Sequence, residues 1–466
     1  MTTSNKPRKG LAGIALAAGL LSLAGVANAQ TQTPAAPATG GDDAITWKGL
    51  TLYGIIDIGL QYQNHGVPES DYFPPGTEEL IQKNSNKSVT GIVPSNLSQT
   101  RIGLSGKEPL AGDWNGVFRL ETFFNPQSGE LSDGLKSVAL NNGRALDAQN
   151  TGVDTSVAGQ IFTQAYVGFS SQTYGTVTFG RQNTIFADAI AKYDPMGASQ
   201  AFSVIGFSGT AAGGGDTEDR RLDNSLKYVG IYGPVHLGGQ YKFNGSHGEA
   251  NTTWEFQIGA DLGGLSVDAY YLDVKDAVSA GALSAAQVAD LPTLGFSPSN
   301  SITGTISDNR TYAITALYNL GAPKLYAGWE HIRYSNPSNP LPVGFVDIGG
   351  YILAAVNNTA FPNDKVLQVY WGGIKFTVMP RLDVMAAFYG YHQNSYANGA
   401  NTGCTTKKNA ACSGTLSAGS IAAVLKLSKR FDVYAGAMYS SVSDGLSNGY
   451  LNTSTIDPTV GVRFKF

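Results

Sequence analysis

Apolar and polar residues alternate along many stretches of this chain. In "LTLYGIIDIGLQYQ" (50–63), Leu52 and Ile56 share one face while Asp57 lies on the other. The last eight residues, "TVGVRFKF", follow the same rule and end on an aromatic residue, Phe466. A period of two residues is typical of a β-strand with one apolar face. The pattern therefore predicts strands at both ends of the chain.

The same alternation recurs in sixteen segments, and the connections between them differ in length. Short connections such as "TYG", "YGPV", "LGG" and "GAP" alternate with long ones such as 127–158, 184–222 and 336–364. The predicted strands are 49–64, 98–108, 115–126, 159–171, 175–183, 223–232, 235–245, 252–263, 265–276, 310–320, 324–335, 365–378, 381–396, 415–428, 431–444 and 456–466.

Two classes of all-β protein account for such strands: a soluble sandwich and a transmembrane barrel. Sorting of loops by length is typical of outer-membrane barrels, which have tight turns at one rim and long loops at the other. An open sheet edge is also not tolerated in lipid, so the sheet must close. We therefore expect an all-β fold, a transmembrane 16-stranded antiparallel β-barrel with short periplasmic turns and long extracellular loops. Aromatic pairs near strand ends, such as Tyr370 and Trp371, agree with interfacial girdles.

The first residues predict export. Lys6, Arg8 and Lys9 precede an apolar run that is followed by "ANA" at 27–29, the order of a secretory signal peptide. The run is too short for a membrane-spanning helix, which takes roughly 20 residues. We expect a signal peptide at 1–29, a flexible leader at 30–46 and the barrel domain at 47–466.

Composition narrows the range of functions. Only 14% of the residues are charged, against roughly 25% in an ordinary globular domain. The formal net charge is −4 and becomes more negative when the signal is removed. An acidic chain without a basic face is not expected to bind nucleic acid.

Two cysteines, Cys404 and Cys412, lie eight residues apart in the polar stretch "GCTTKKNAACSG". In an exported protein this spacing favours a disulfide within a surface loop, although two free thiols are the alternative. A metal site would need further His, Cys or acidic residues at ligand spacing, and none lies nearby. We expect neither a metal nor a cofactor.

Several segments resemble the trimeric sixteen-stranded general porins of Gram-negative outer membranes. These segments are "LTLYGIIDIGL", "QTRIGLSGKEPLAGDWNGVFRLE", "AYVGFSSQTYGTVTFGRQ", "RLDNSLKYVGIYGPVHLGGQYKF" and "TVGVRFKF". With the strand rhythm they cover nearly the whole mature chain. The resemblance implies a homotrimer in the cell outer membrane, in contact with lipid and lipopolysaccharide. It also implies that Phe466 belongs to the signal read by the outer-membrane insertion machinery.

In this family the third extracellular loop folds into the lumen, where its acidic groups face basic residues of the wall and so narrow the pore. The corresponding loop here is about 183–222, and its expected constriction acids are Asp188 and Asp194. The loop has "DPMGA" where enteric members have Pro-Glu-Phe-Gly-Gly. Parity predicts that Arg101, Arg119, Arg221 and Lys227 point inward, and the resemblance implies that Arg101, Arg181 and Arg221 are constriction arginines. Together these are the expected basic wall. Arg181 shares parity with the lipid-facing Phe179, so the strand must end or bulge there.

Three functions remain for this chain. A general porin would pass small hydrophilic solutes and ions by passive diffusion. A channel selective for small organic anions would use the same arginines to bind carboxylates. An outer-membrane enzyme, such as a barrel phospholipase or protease, would need a nucleophile beside a base. The five histidines, His65, His236, His247, His331 and His392, are scattered over different segments. We therefore expect a porin and no enzymatic activity.

Overall fold

The computed structural model describes residues 45–65, 88–149, 161–205, 221–243, 252–405 and 409–466. The predicted signal peptide and most of the predicted leader lie outside these residues. Sixteen long strands of the described ranges form one closed antiparallel β-barrel, as the alternation predicts. Its strands are β1 Leu50–Gln63, β2 Arg101–Pro109, β3 Trp114–Phe123, β4 Gln164–Ser171, β5 Gly175–Asn183, β6 Arg221–Tyr232, β7 Val235–Lys242, β8 Thr253–Leu262, β9 Leu265–Gly281, β10 Ser301–Asn319, β11 Pro323–Ser335, β12 Lys365–Met379, β13 Leu382–Gln393, β14 Gly414–Lys426, β15 Phe431–Asp444 and β16 Ser454–Lys465.

Closure is made by the first and last strands. β1 pairs with β16 from Ile55 opposite Lys465 to Gln61 opposite Thr459, and its first half pairs with β2. The terminal Phe466 continues this pairing, because its backbone N–H and C=O both bond to Gly54. Each of the sixteen described strands therefore pairs with two neighbours, which closes the sheet.

Side-chain parity follows the alternation of the sequence. Leu52, Ile56 and Leu60 of β1 are exposed on the outer face, whereas Tyr53 and Asp57 are buried inside. The same outer exposure holds for apolar residues of the other strands, such as Phe256 of β8 and Val460 of β16. These exposed side chains form the surface that contacts lipid. Within the described residues, no helix is long and apolar enough to cross a membrane.

Strands β9 and β10 extend well beyond their predicted bounds of 265–276 and 310–320. The ladder between them slips at Val274 and Ala277, and Asp276 adopts a φ of 55° at this bulge. Pairing then resumes up to Gly281 opposite Thr303. The polar stretch "SDNR" at 307–310 breaks the alternation, so the sequence pattern does not predict residues 301–309 as part of β10.

Three helices of the described residues lie in the connections between barrel strands. Helix α1 (Gly134–Leu140) lies between β3 and β4, α2 (Ile185–Tyr193) follows β5, and α3 (Ala285–Leu294) lies between β9 and β10. The short strands are Ile45–Trp47, Val89–Pro94, Phe345–Ile348 and Tyr351–Asn357, and the single-turn helices are Leu146–Ala148, Gly399–Asn401 and Gly445–Ser447. Tyr351–Asn357 pairs in parallel with the start of β10. The connection between β5 and β6, here called loop 3, is described as far as residue 205.

Candidate functional site

Helix α2 begins loop 3 and is fixed at its N-terminus from two sides. Thr184 is the N-cap residue, and its hydroxyl accepts a hydrogen bond from Ala187 N–H at 3.1 Å. The carboxylate of Glu255 on β8 accepts from Ile185 N–H at 2.8 Å and Phe186 N–H at 2.7 Å. These contacts satisfy amides that the first turn leaves unpaired and place an acceptor side chain at the positive end of the helix. The start of loop 3 is therefore held against the inner wall.

The rest of the described loop packs along the wall formed by β12 to β15. Trp371 Nε1–H donates to the carbonyl of Tyr193 at 3.1 Å, and Ser420 Oγ–H donates to the carbonyl of Phe202 at 2.7 Å. Phe202 itself is fully buried. Loop 3 thus runs inside the barrel from β5 across to β15 and narrows the lumen from that side.

Under loop 3 the inward face of the barrel carries mostly apolar side chains. We call this face the covered wall. Its buried residues form one cluster with loop 3, and they are Tyr270, Leu272, Ala313, Ile332, Tyr334, Leu367, Val369, Trp371, Met385, Ala387, Tyr389, Tyr391, Leu416, Ala418, Ala422, Val424, Tyr434, Met438 and Val442. Burial of apolar area holds the loop in place, at roughly 25 cal/mol per Å².

Opposite loop 3, charged residues of β2, β3 and β6 face one another. We call this the charged wall, and it consists of Arg101, Arg119, Glu121, Arg221 and Lys227. Arg101 Nε lies 3.7 Å from Glu121, whose carboxylate also accepts from Tyr53 and Gln164 at 3.0 Å each. The Arg101 side chain is 21% exposed, so this part of the wall contacts water.

Two arginines of the charged wall are stacked on aromatic rings. The Arg119 guanidinium lies 5.5 Å from the ring centre of Tyr53 and 6.0 Å from that of Tyr166. The Arg221 guanidinium lies 4.5 Å from the ring centre of Phe123. Cation–π contacts of this kind fix the orientation of a guanidinium while leaving it charged. The rings therefore help to orient these two guanidinium groups within the wall.

Asp188 of helix α2 joins loop 3 to the charged wall. Its carboxylate accepts from Lys227 Nζ at 2.8 Å and from Asn183 Nδ2 at 2.7 Å. Burial alone would raise the pKa of Asp188, but the Lys227 ammonium and the hydrogen bonds hold that pKa below its ordinary value. The carboxylate is thus ionised at neutral pH, and its side chain remains 36% exposed toward the lumen. The structure brings Asp188 together with Arg101, Arg119, Arg221 and Lys227.

The structure places Asp194 elsewhere. Its buried carboxylate accepts from Tyr389 O–H on β13 and from Ala198 N–H, both at 2.7 Å. Burial raises the pKa of Asp194 although these donors favour the ionised form. Asp194 therefore anchors the end of helix α2 on the covered wall, and the expectation that it lines the constriction is not met by this geometry.

Arg181 is likewise not part of the charged wall. The β5–β6 ladder slips between Gly180 and Gln182, so Gln182 points inward and Arg181 lies on the other face. There its guanidinium pairs with Asp223 and donates from Nε to the carbonyl of Phe162 at 3.1 Å. The bulge expected from parity does occur, but the inward position goes to Gln182.

Two acids of the site, Glu121 and Glu255, were not predicted as site residues from the sequence. Glu121 is the central acid of the charged wall, Gln164 bonds to it, and Glu255 holds helix α2. Glu121 carried a usable signal, because it shares inward parity with Arg119 in "FRLETFF". Glu255 gave no such signal, since its role depends on where loop 3 begins its helix.

Other sequence-predicted residues lie at the rims. Cys404 and Cys412 are joined by a disulfide in the loop between β13 and β14. The Phe466 ring stacks with Phe464 at 6.1 Å on the outer face. Within the described residues, no group of three or more His, Cys, Asp or Glu side chains is placed to hold a metal ion.

Similarity to known proteins agrees with this architecture. A model of the Gram-negative porin family matches residues 12–445. An outer membrane porin protein of Bordetella pertussis is 28% identical over 204 residues, which are 43% of this chain and 44% of that protein. Outer membrane porin protein 32 of Delftia acidovorans is 26% identical over 311 residues, 66% of this chain and 68% of that protein. The matched part is therefore less than half of the first relative.

Solved structures extend the comparison of fold. The outer membrane protein OmpT of Vibrio cholerae, in a form lacking loop L8, has a TM-score of 0.56 at 14% identity and covers 90% of this chain and 99% of its own. The trimer form of OmpT has a TM-score of 0.54. At such low identity these similarities concern the fold alone. The family match over most of the residues, together with the closed sixteen-stranded barrel, shows that this chain belongs to the Gram-negative porin family.

Proposed function

We propose that the protein forms a water-filled channel for passive diffusion of small hydrophilic solutes and ions across the Gram-negative outer membrane. The observation that carries this proposal is the constriction between loop 3 and the charged wall. On one side the lumen is closed by apolar packing, and on the other it is bounded by fixed charges in contact with water. Solutes therefore pass along the charged wall, where polar side chains replace part of their hydration shell.

Charges of both signs lie at the constriction. Its four cationic groups, Arg101, Arg119, Arg221 and Lys227, face the two carboxylates of Glu121 and Asp188. An array with both signs produces a transverse field, and its excess of cationic groups gives a modest positive potential along the pore. This favours a general diffusion channel of modest anion preference.

The alternative is a channel selective for small organic anions. The excess of cationic groups and the rings of Tyr53 and Tyr166 beside Arg119 support it. A selective channel binds its solute, so its conductance would saturate and be blocked by that solute. A general channel would show neither behaviour.

We infer that the working form is a homotrimer in which each barrel contacts lipid and lipopolysaccharide at its outer face. The support is membership of the porin family together with a neighbour of the same fold that is described in a trimer form. Catalysis has no place in this proposal, because the passage of solutes depends on pore width and charge.

Single-channel recording of the purified protein in a planar bilayer, with a salt gradient across it, tests the proposal. Large conductance steps that close in threes, with modest ion selectivity and no saturation by organic anions, are expected. Small conductance blocked by one class of organic anion would favour the selective channel. Correctly folded protein without any conductance would overturn both.

A further inference from the structure

A second group of cations lies inside the barrel at the rim of the short turns, which is the periplasmic rim in an outer-membrane barrel. Lys324 is the second residue of β11, Lys426 ends β14 and Lys465 ends β16, while Lys375 and Arg463 lie near the same ends of β12 and β16. We call these five residues the basic ladder.

Strand register makes the ladder continuous from β11 to β16. Lys324 is directly opposite Lys375, Lys426 is opposite Asp432, and Asp432 is opposite Arg463. Their neighbours in sequence, such as Ile374, Phe376 and Phe464, are exposed on the outer face. By parity, the ladder therefore faces the water of the lumen.

The carboxylates within the ladder are too few to neutralise it. Asp383 lies 3.4 Å from Lys375 Nζ and 3.1 Å from Lys426 Nζ. Asp432 lies 2.7 Å from Arg463 Nη2 and 2.8 Å from Lys465 Nζ. Each of these two acids is thus shared by two cations.

A third acid adjoins the ladder but is engaged elsewhere. Asp57, opposite Arg463 on β1, is buried and accepts from the N–H groups of Leu97 at 3.0 Å and Ser98 at 2.9 Å. Lys324 makes no ion pair with any described residue. Five cations therefore face the side-chain carboxylates of Asp383 and Asp432, with that of Asp57 adjoining.

The ladder is accessible, and the wall across from it has the opposite character. The side chains of Lys375, Lys426 and Lys465 are 34%, 48% and 36% exposed. On β7 to β9, Asp261 and Asp268 flank His236 at 2.9 and 3.1 Å, and Lys192 of helix α2 approaches both carboxylates. An anion in this vestibule is therefore drawn to the ladder rather than to the β7–β9 wall.

We propose that the basic ladder is a binding site for inorganic phosphate on the periplasmic side of the constriction. This rests on the proposed function in one respect, namely that solutes reach the ladder through the channel. Ammonium groups on adjacent strands can together contact one oxyanion, and Arg463 adds a planar donor pair. Since the ladder is exposed, its affinity is low and falls with ionic strength.

The test compares two variants that each lose three exposed cations. The ladder variant is Lys324→Gln/Lys375→Gln/Lys426→Gln. The matched control is Lys136→Gln/Arg310→Gln/Arg333→Gln, whose residues lie outside the lumen and are 44%, 40% and 45% exposed. A third variant, with arginine at the three ladder positions, keeps the charge. Folding of each is checked by heat-dependent migration in gels.

Inorganic phosphate is titrated into potassium chloride at constant ionic strength while single-channel chloride conductance is recorded. Saturable inhibition is expected in the wild type, the control and the arginine variant. The ladder variant should need roughly tenfold more phosphate, since loss of charges near 4 Å changes affinity by about this much. Equal inhibition in the ladder variant and the control, or no inhibition in the wild type, would overturn the site.

Two measurements separate this proposal from the proposed function. Arg101→Gln should shift ion selectivity, because Arg101 lies at the constriction. It should leave phosphate inhibition unchanged, because Arg101 is not part of the basic ladder. A wild type without conductance would overturn the channel, and equilibrium binding of phosphate to the detergent-solubilised proteins would then decide the site. Binding that the ladder variant lacks supports the site, and equal binding to all variants overturns it.

Discussion

The covered wall and the charged wall have the same backbone geometry but opposite chemistry. Both are inward faces of antiparallel strands with strict alternation. On the covered wall the inward residues are apolar, such as Leu367 and Met385, and loop 3 buries them. On the charged wall they are Arg101, Arg119 and Glu121, and water reaches them. The comparison shows that inward parity fixes only which residues face the lumen. What those residues do depends on whether loop 3 covers them.

The largest expected effect comes from detaching loop 3 from the covered wall. Phe202→Ala removes a fully buried ring, at a cost of about 3–5 kcal/mol in loop packing. The loop should then leave the wall part of the time, so single-channel conductance should rise and become noisy. Phe256→Ala on the lipid face, where the ring is 50% exposed, is the matched control. A quiet conductance equal to that of the wild type would mean that loop 3 does not depend on this contact.

A smaller change is expected on the charged wall. Arg101→Gln removes one lumen charge and should shift the permeability ratio toward cations by roughly fourfold, the factor for one charge at about 5 Å in water. Conductance should change little, because the pore keeps its shape. The zero-current potential in a salt gradient measures the shift. Arg333→Gln, an exposed cation outside the lumen, should leave it unchanged, and an equal shift in both variants would argue against Arg101 at the constriction.

Asp188→Asn should shift the zero-current potential in the opposite direction, toward anions, because Lys227 loses its carboxylate partner but keeps the carbonyl of Asn183 at 2.9 Å. Protonation of the wild-type carboxylate should have the same effect. Since the pKa of Asp188 is lowered, its contribution persists at neutral pH and disappears only as pH falls through that pKa, below the ordinary value of about 4. Acid should therefore change the permeability ratio of the wild type more than that of Asp188→Asn. An equal response of the two proteins to acid would contradict this.

The smallest effect on conduction is expected from the disulfide, which lies outside both walls. Cys404→Ser/Cys412→Ser opens a loop of sequence separation 8 and should lower stability by about 2–3 kcal/mol, the range for short loops. Thermal unfolding followed by circular dichroism measures this loss. Conductance and selectivity should remain those of the wild type, so a changed permeability ratio would show that the loop reaches the constriction.

Strand number, closure and side-chain parity could all be predicted from the sequence, because a two-residue period directly reports which face is apolar. By the same parity Arg101, Arg119, Arg221 and Lys227 face the lumen, and their part in the constriction stays a prediction. Parity gives Arg181 the outer face of Phe179, and the expected bulge does not turn it inward.

The covered wall was missed although the sequence carried a signal for it. "KVLQVYWGG" on β12 is apolar on both faces, with Leu367, Val369 and Trp371 inward. A strand with two apolar faces is buried on both, which in a barrel means that an inserted segment covers the lumen side. Asp194 could not be assigned in this way, because its role depends on the contact with Tyr389, far away in sequence.

Accessibility of the two walls to a thiol reagent tests the account most directly. Both native cysteines are in the disulfide, so a new cysteine can be labelled alone. Ser105→Cys lies opposite Arg119 on the charged wall, and Ala418→Cys lies on the covered wall, where Ala418 is 1% exposed. A charged, thiol-specific reagent should react with the first and reduce its single-channel conductance, and should leave the second unmodified. Rapid labelling and block at Ala418→Cys, or no block at Ser105→Cys, would contradict a solute path along the charged wall.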